Sequence, residues 1–233
     1  MKDLFGQALL DYQIGNYTED ILTSTNISDE DILPIPYLFR SYKEMPVIER
    51  KALDLSYGKV LDVGCGAGNH SLYLQEEKGL EVKAIDISKG AIEVSKKRGL
   101  NNSEVLDILK ETEQFDTILL LMNGTGVFQE LKQVTKYLTH LKSLLKQDAQ
   151  ILIDSSDIIY MYEDEDVSYD FEDDPNYYGE LEYFVSYKGE KEEPFKMLYM
   201  DFELLKNACK AIGLKCIMLT EGEHYDYLAK IYV

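Results

Sequence analysis

The stretch Lys59-Val-Leu-Asp-Val-Gly-Cys-Gly-Ala-Gly-Asn-His70, followed by Leu80-Glu-Val-Lys-Ala-Ile-Asp-Ile-Ser88, decides the fold. Val60 to Val63 is a short apolar run of the kind that forms a central parallel strand. It breaks into three alternating glycines, Gly64, Gly66 and Gly68. Glycine takes positive φ without a Cβ penalty and lets a ligand approach the backbone. Leu72 to Glu77 has the character of the first turns of a helix, so the glycines occupy a strand-to-helix turn. Val82 to Ile85 reads as the next strand and ends in Asp86. A carboxylate at that point can accept both hydroxyls of a ribose lying across the strand ends. Together the two elements describe a site for a nucleoside-containing cofactor.

Spacing separates the candidate cofactors. A dinucleotide fingerprint built on Gly64 and Gly66 places its third glycine where this chain has Asn69. Asp62 lies two residues before the first glycine, inside an apolar strand end. An acid there repels a pyrophosphate and attracts a positively charged amino-acid head group. A nicotinamide-dependent oxidoreductase is therefore disfavoured. Leu61-Asp-Val-Gly-Cys-Gly-Ala-Gly68 resembles the first motif of the class I S-adenosylmethionine-dependent methyltransferases, and Asp86 matches their ribose-binding acid. The resemblance covers roughly residues 59–155 and 200–233. It implies an α/β, Rossmann-like fold: a seven-stranded, mostly parallel sheet with a reversed last strand and helices on both faces.

The same resemblance implies a set of cofactor residues. Gly64, Cys65, Gly66 and Gly68 form the turn beneath the methionine and ribose portions, Cys65 as a small residue rather than a nucleophile. Asp62 orients that loop or reaches the amino group. Asp86 holds the ribose, and Ile87 flanks the adenine. Asp107 accepts the adenine amino group, while Ile108 offers its backbone N–H to the ring. Asn123, at the end of Ile118-Leu-Leu-Leu-Met-Asn123, sits beside the methyl donor and is one of two weak catalytic candidates. The other is His224, a side chain able to titrate near neutral pH. His70 matches no fixed role in the family. The Asn-Pro-Pro-Tyr type motif of the family's DNA and protein-glutamine enzymes is absent, which weakens those substrate classes.

The rest of the chain bounds the chemistry. The protein has 233 residues, 45% of them hydrophobic, with a formal net charge of -19. That size suits one domain, or one domain with embellishments, and that charge opposes binding to a nucleic acid polymer or an anionic membrane. No segment has the form of a signal peptide, and no apolar run reaches about 18 residues. Cys65, Cys209 and Cys216 read as reduced thiols of a cytoplasmic protein. His70, His140 and His224 do not group in sequence, and the cysteines lack zinc-site spacing, so no metal is expected.

Residues 1–56 read as an N-terminal helical extension or cap, with Asn16 to Ser28 polar and turn-like. Tyr12, Tyr37, Arg40 and Glu49 are its candidate substrate contacts. Residues 57–233 read as the methyltransferase domain, in which strands and helices alternate as parallel crossover units. Residues 157–199 form an insertion rich in acids and tyrosines. Its acidic runs, Glu163-Asp-Glu-Asp166 and Glu172-Asp-Asp-Pro175, alternate with Tyr169, Phe171 and other aromatics. Leu181 to Tyr187 reads as a strand, with Phe195 to Tyr199 returning beside it. Tyr160 and Tyr178, with His224, complete the candidate substrate set. The insertion serves as a pocket lid or wall, as a homodimer contact, or as neither.

Two readings follow. The first is S-adenosylmethionine-dependent methyl transfer to a small-molecule acceptor, releasing S-adenosylhomocysteine. The second is a non-catalytic cofactor-binding subunit or scaffold whose acidic insertion binds a protein partner.

Overall fold

The computed structural model describes residues 2–164, 167–168 and 177–233, with the backbone alone at 163–164 and 167–168. Tyr169, Phe171 and the acidic run Glu172 to Pro175 lie outside the described residues, as does the end of the run from Glu163 to Asp166. The chain begins with α1 (Leu4–Gln13), β1 (Ile21–Thr25), β2 (Ser28–Leu33) and α2 (Val47–Leu55). There follow β3 (Lys59–Val63), α3 (Asn69–Glu76), β4 (Glu81–Asp86), α4 (Lys89–Lys97), β5 (Ser103–Val105) and β6 (Phe115–Leu120). After α5 (Val134–Ser143) and β7 (Leu145–Ser156) come β8 (Glu163–Asp164), β9 (Val167–Ser168), β10 (Glu180–Tyr187), β11 (Glu190–Lys191) and β12 (Phe195–Leu198). The chain closes with α6 (Phe202–Ala211), β13 (Lys215–Glu221) and β14 (Asp226–Tyr232).

A seven-stranded sheet, ordered β13-β14-β7-β6-β3-β4-β5, forms the centre. Its strands from β7 to β5 are parallel, and β14 runs antiparallel to both neighbours. This is the architecture that the glycine motif implied. The central strands are apolar because both faces are covered. On one face Ile118, Leu120, Ile151 and Ile153 pack against Leu138 and Leu141 of α5 and Leu205 of α6. On the other, Val60, Leu119 and Leu152 meet Ile48, Ala52 and Leu53 of α2. The Ser88 hydroxyl accepts from the Ala91 N–H and caps α4, as its position after β4 predicts.

A second sheet was legible only in part. The predicted strand and its return appear as β10 and β12, paired antiparallel. Residues 16–28, read as turn-like, instead supply β1, and Ser28 opens β2. The cap is thus two α-helices plus a β-hairpin rather than helical throughout. β1 pairs with β10, aligning Leu22 with Ser186 and Thr25 with Tyr183, which completes a five-stranded sheet. Ile21, Thr23 and Thr25 are β-branched and fit a strand, but their partner lies far along the chain, where a local pattern cannot reveal it.

This second sheet rests on α1, through Leu9, Ile21, Val185 and Tyr187. α1 in turn lies on α4 at two glycines. A Cβ on Gly90 would stand 2.4 Å from the carbonyl carbon of Gly6, so only glycine permits the crossing. Asp3 fastens the contact by accepting from the Ser88 hydroxyl at 2.8 Å and the Gly90 N–H at 2.9 Å.

Candidate functional site

The parallel strands β3, β4 and β6 end side by side, and their following loops open under the second sheet. The cavity between them has a volume of about 350 Å³. Its floor includes Gly64, Cys65, Gly66, Ala67, Asn69 and His70; Asp86 and Asn123 stand at its sides. Gly64, Gly66 and Gly68 have φ of +73°, +53° and +84°, the left-handed region that favours glycine. A Cβ on Gly64 or Gly66 would meet no atom within 4 Å, so both present bare backbone to open space. At Gly68 the added atom would lie 3.2 Å from the Ser95 Cβ, which fits a packing role beneath the loop.

Asp86 braces the loop. One carboxylate oxygen accepts from the Gly66 N–H at 2.9 Å and the other from the Ser88 N–H at 2.8 Å. Burial pushes its pKa up, against the lowering effect of those two donors. Asp62 lies below the loop, fully buried, and accepts from the Ser71 hydroxyl at 2.6 Å; burial raises its pKa too. Cys65 is buried, and burial pushes its thiol well above the ordinary value, so no thiolate stands ready. Asn69, where a dinucleotide site has glycine, donates to the Leu38 carbonyl at 2.7 Å and ties the N-terminal segment to the loop.

The end of β6 is unusual. Met122 and Asn123 both adopt left-handed backbone, with φ of +64° and +61°. Asp154, at the end of β7, holds this kink by accepting from the Met122 N–H at 2.9 Å and the Gly124 N–H at 2.8 Å. Asn123 lines the cavity while its side-chain oxygen accepts from the Ser155 hydroxyl.

Asp107 caps the short turn that follows β5, accepting from the Leu109 N–H at 2.9 Å. Ile87 is 76% exposed beside Asp86, and Ile108 is buried with its carbonyl bonded to His140. These three residues lie outside the cavity lining, at the sheet edge next to it.

The candidate substrate residues are not brought together. Tyr12 packs on Phe39 and Tyr17. Tyr37 lies against the Arg40 guanidinium, whose carbon is 3.9 Å from the ring centre. Tyr160 stacks on Tyr225, and the Tyr178 hydroxyl donates to Asp157 at 2.8 Å. His224 is exposed in the final hairpin, its backbone N–H bonded to Asp226. None of these side chains lines the cavity.

Arg40 and Glu49 are buried and spend their charges elsewhere. Glu49 takes Arg40 on one oxygen and His70 Nε2, at 2.7 Å, on the other. His70, which had no assigned role, is thus both a cavity residue and an anchor for α2. The roof residues Tyr183, Phe195, Met197 and Tyr199 also escaped the sequence reading, although their strand and its return were visible. The alternation of Phe195, Met197 and Tyr199 through β12 and just past it was the available signal.

Among the described residues, no group of three or more His, Cys, Asp or Glu could hold a metal ion, and no helix is long and apolar enough to cross a membrane.

Comparison with known proteins agrees with this geometry. A family model described as a methyltransferase domain matches residues 55–223. Among curated proteins, none matches the sequence. A crystal structure of a SAM-dependent methyltransferase from Bacteroides fragilis, in complex with S-adenosyl-L-homocysteine, is 41% identical, with a TM-score of 0.92 over 100% of this chain and 95% of that one. The DhpI–SAM–HEP complex is 16% identical, with a TM-score of 0.60 over 80% of this chain and 84% of the other. A S-adenosylmethionine-dependent methyltransferase from Clostridium acetobutylicum is 17% identical, with a TM-score of 0.57 over 83% and 92%. The last two show likeness of fold. The chain belongs to the class I methyltransferases, and its cofactor is S-adenosylmethionine.

Proposed function

We propose that the enzyme methylates a small-molecule acceptor and releases S-adenosylhomocysteine. The observation that carries this reading is the roof. β1, β2, β10 and β12 close over the glycine loop and leave about 350 Å³, at the small end of ligand pockets. A polymer's reactive group has little room there, and the net charge of -19 opposes a nucleic acid.

The residues present fit the cofactor. The bare backbone at Gly64 and Gly66 offers a cradle that a Cβ would fill, and Asp86 stands beside it. We assign Asp62, Gly64, Cys65, Gly66, Gly68, Asp86, Ile87, Asp107, Ile108 and Asn123 to cofactor binding. When bound, S-adenosylmethionine supplies a methyl carbon already activated on a sulfonium. The protein's own task is positioning and the exclusion of water. In this reading the N-terminal residues and residues 177–199 act jointly, as one cover over the methyltransferase domain.

Calorimetric titration with S-adenosylmethionine, S-adenosylhomocysteine and NAD, alongside Asp86→Ala, tests the assignment. Micromolar binding of the two sulfur compounds, weakened at least tenfold in the variant and absent for NAD, is expected. A folded protein that binds neither overturns it.

A further inference from the structure

We propose that the acceptor is a small amine, methylated on nitrogen; this rests on the methyl-transfer reading above. The first observation is the character of the roof. Ile21, Thr23, Tyr183, Val185, Phe195 and Met197 alternate along β1, β10 and β12 and present one face to the cavity. Tyr183 and Phe195 stand opposite each other in register, ring centres 5.4 Å apart, and Tyr199 continues the aromatic wall.

The second observation is charge. Among the described residues lining the cavity there is no lysine or arginine, whereas Asp86 and Glu192 are carboxylates. His70 faces the space but is bonded to Glu49, which offsets its charge. A carboxylated or phosphorylated acceptor finds no free cation here. The protein's net charge of -19 draws cations toward the mouth and repels anions.

The third observation concerns proton acceptors. A hydroxyl acceptor must lose its proton as it is methylated. Asp86 takes the Gly66 and Ser88 N–H groups and is assigned above to the ribose hydroxyls of the cofactor, so it is not placed at the acceptor. Glu192 accepts from the Leu4 N–H at the start of α1. Burial holds the Cys65 thiol and the Tyr183 and Tyr199 phenols in their protonated forms. His70 has Nε2 committed to Glu49.

An ammonium drawn to the mouth is far more acidic than an alcohol, and it gives its proton to solvent water there without any of these groups. Burial against the apolar roof disfavours the ammonium form and keeps the lone pair available. That lone pair forms the new N–C bond while the methyl carbon's bond to sulfur breaks, its electron pair remaining on sulfur. The nitrogen becomes positively charged and then releases a proton to solvent water. The faces of Tyr183, Phe195 and Tyr199 stabilise this charge as it develops.

The test uses three matched sets: benzylamine, phenethylamine and cyclohexylmethylamine, each with its alcohol and carboxylate counterpart. Each is titrated calorimetrically into protein saturated with S-adenosylhomocysteine, then assayed with S-adenosylmethionine for methylated product. At least one amine is expected to bind tenfold or more tightly than its carboxylate and to be the methylated member of its set. Preference for an alcohol or a carboxylate overturns the proposal, as does binding of no amine. Binding of S-adenosylhomocysteine is measured first. Its absence strikes the methyltransferase site itself, whereas its presence confines every other failure to the acceptor class. Tyr183→Leu and Phe195→Leu are each expected to weaken amine binding about 3- to 30-fold while S-adenosylhomocysteine still binds. Amine binding that is unchanged in both variants overturns the role of the aromatic wall.

Discussion

Glu49 Oε2 lies 2.7 Å from His70 Nε2, and this bond joins a helix of the N-terminal extension to the first turn after the glycine loop. The other Glu49 oxygen carries Arg40, and all three side chains are buried. Removing one partner of such a group leaves an uncompensated charge in a poorly solvated place. Glu49→Gln is expected to lower the unfolding free energy by about 3–5 kcal/mol. Urea denaturation at neutral pH measures this directly, and an unchanged midpoint would contradict it.

The same bond gives a pH dependence. Burial alone lowers the His70 pKa, but the Glu49 hydrogen bond and the Asp62 charge outweigh it and leave the value raised. The stabilisation is therefore fully present below about pH 6.5 and is lost as pH rises through the raised folded value. Wild type should lose stability over that interval relative to His70→Gln, which has no imidazole to titrate. Thermal melts across pH 5.5 to 9, with pH values chosen about the ordinary histidine range, provide the comparison.

Asp154 makes a second, lower window. Burial raises its pKa to about 7, against the two N–H donors that hold it. A carboxyl whose folded value is raised stabilises the fold below about pH 4, and that contribution fades as pH climbs to about 7. Asp154→Asn keeps one acceptor but places an NH2 against a backbone N–H, so it should be less stable at all pH values. Its deficit should be widest near pH 4 and narrow toward pH 7, about the interval set by the two values. A deficit that widens instead would reverse the sign of this assignment.

Two glycine substitutions should separate binding from folding. Gly64→Ala meets no protein atom within 4 Å, so its folding cost is the left-handed backbone, about 1–2 kcal/mol. Its methyl enters the cavity, and S-adenosylhomocysteine affinity should fall at least tenfold.

Gly90→Ala does the opposite. Its Cβ collides with Gly6 backbone, and lifting α1 from α4 should cost about 1–3 kcal/mol. The glycine cradle itself is untouched by this change. Melting temperature and ligand affinity, measured on both variants, show whether the two effects part as expected.

The central sheet was legible because its signals are local. Val60 to Val63, three glycines and Asp86 lie within one crossover unit, and each constrains its neighbours. The roof was half legible. β10 and β12 announce themselves as an aromatic strand and its return, but β1 is defined by pairing with residues far away in the chain. His70 escaped for a related reason. A histidine at a helix start has no meaning until Glu49 folds against it, and no spacing rule joins the two. Asn123 was marked as a site residue, but its left-handed backbone depends on Asp154, a strand away.

The roof also sets an order of assembly. β1 emerges long before β10, with an edge that β2 covers on one side only, and the other side waits for β10. By then β3 to β7 have all left the ribosome and can fold as a growing sheet. The cavity therefore gains its walls only after Leu198 has been made. A nascent chain carries its glycine loop open to solvent until β10 and β12 have followed it, and selective chemistry waits on those two strands.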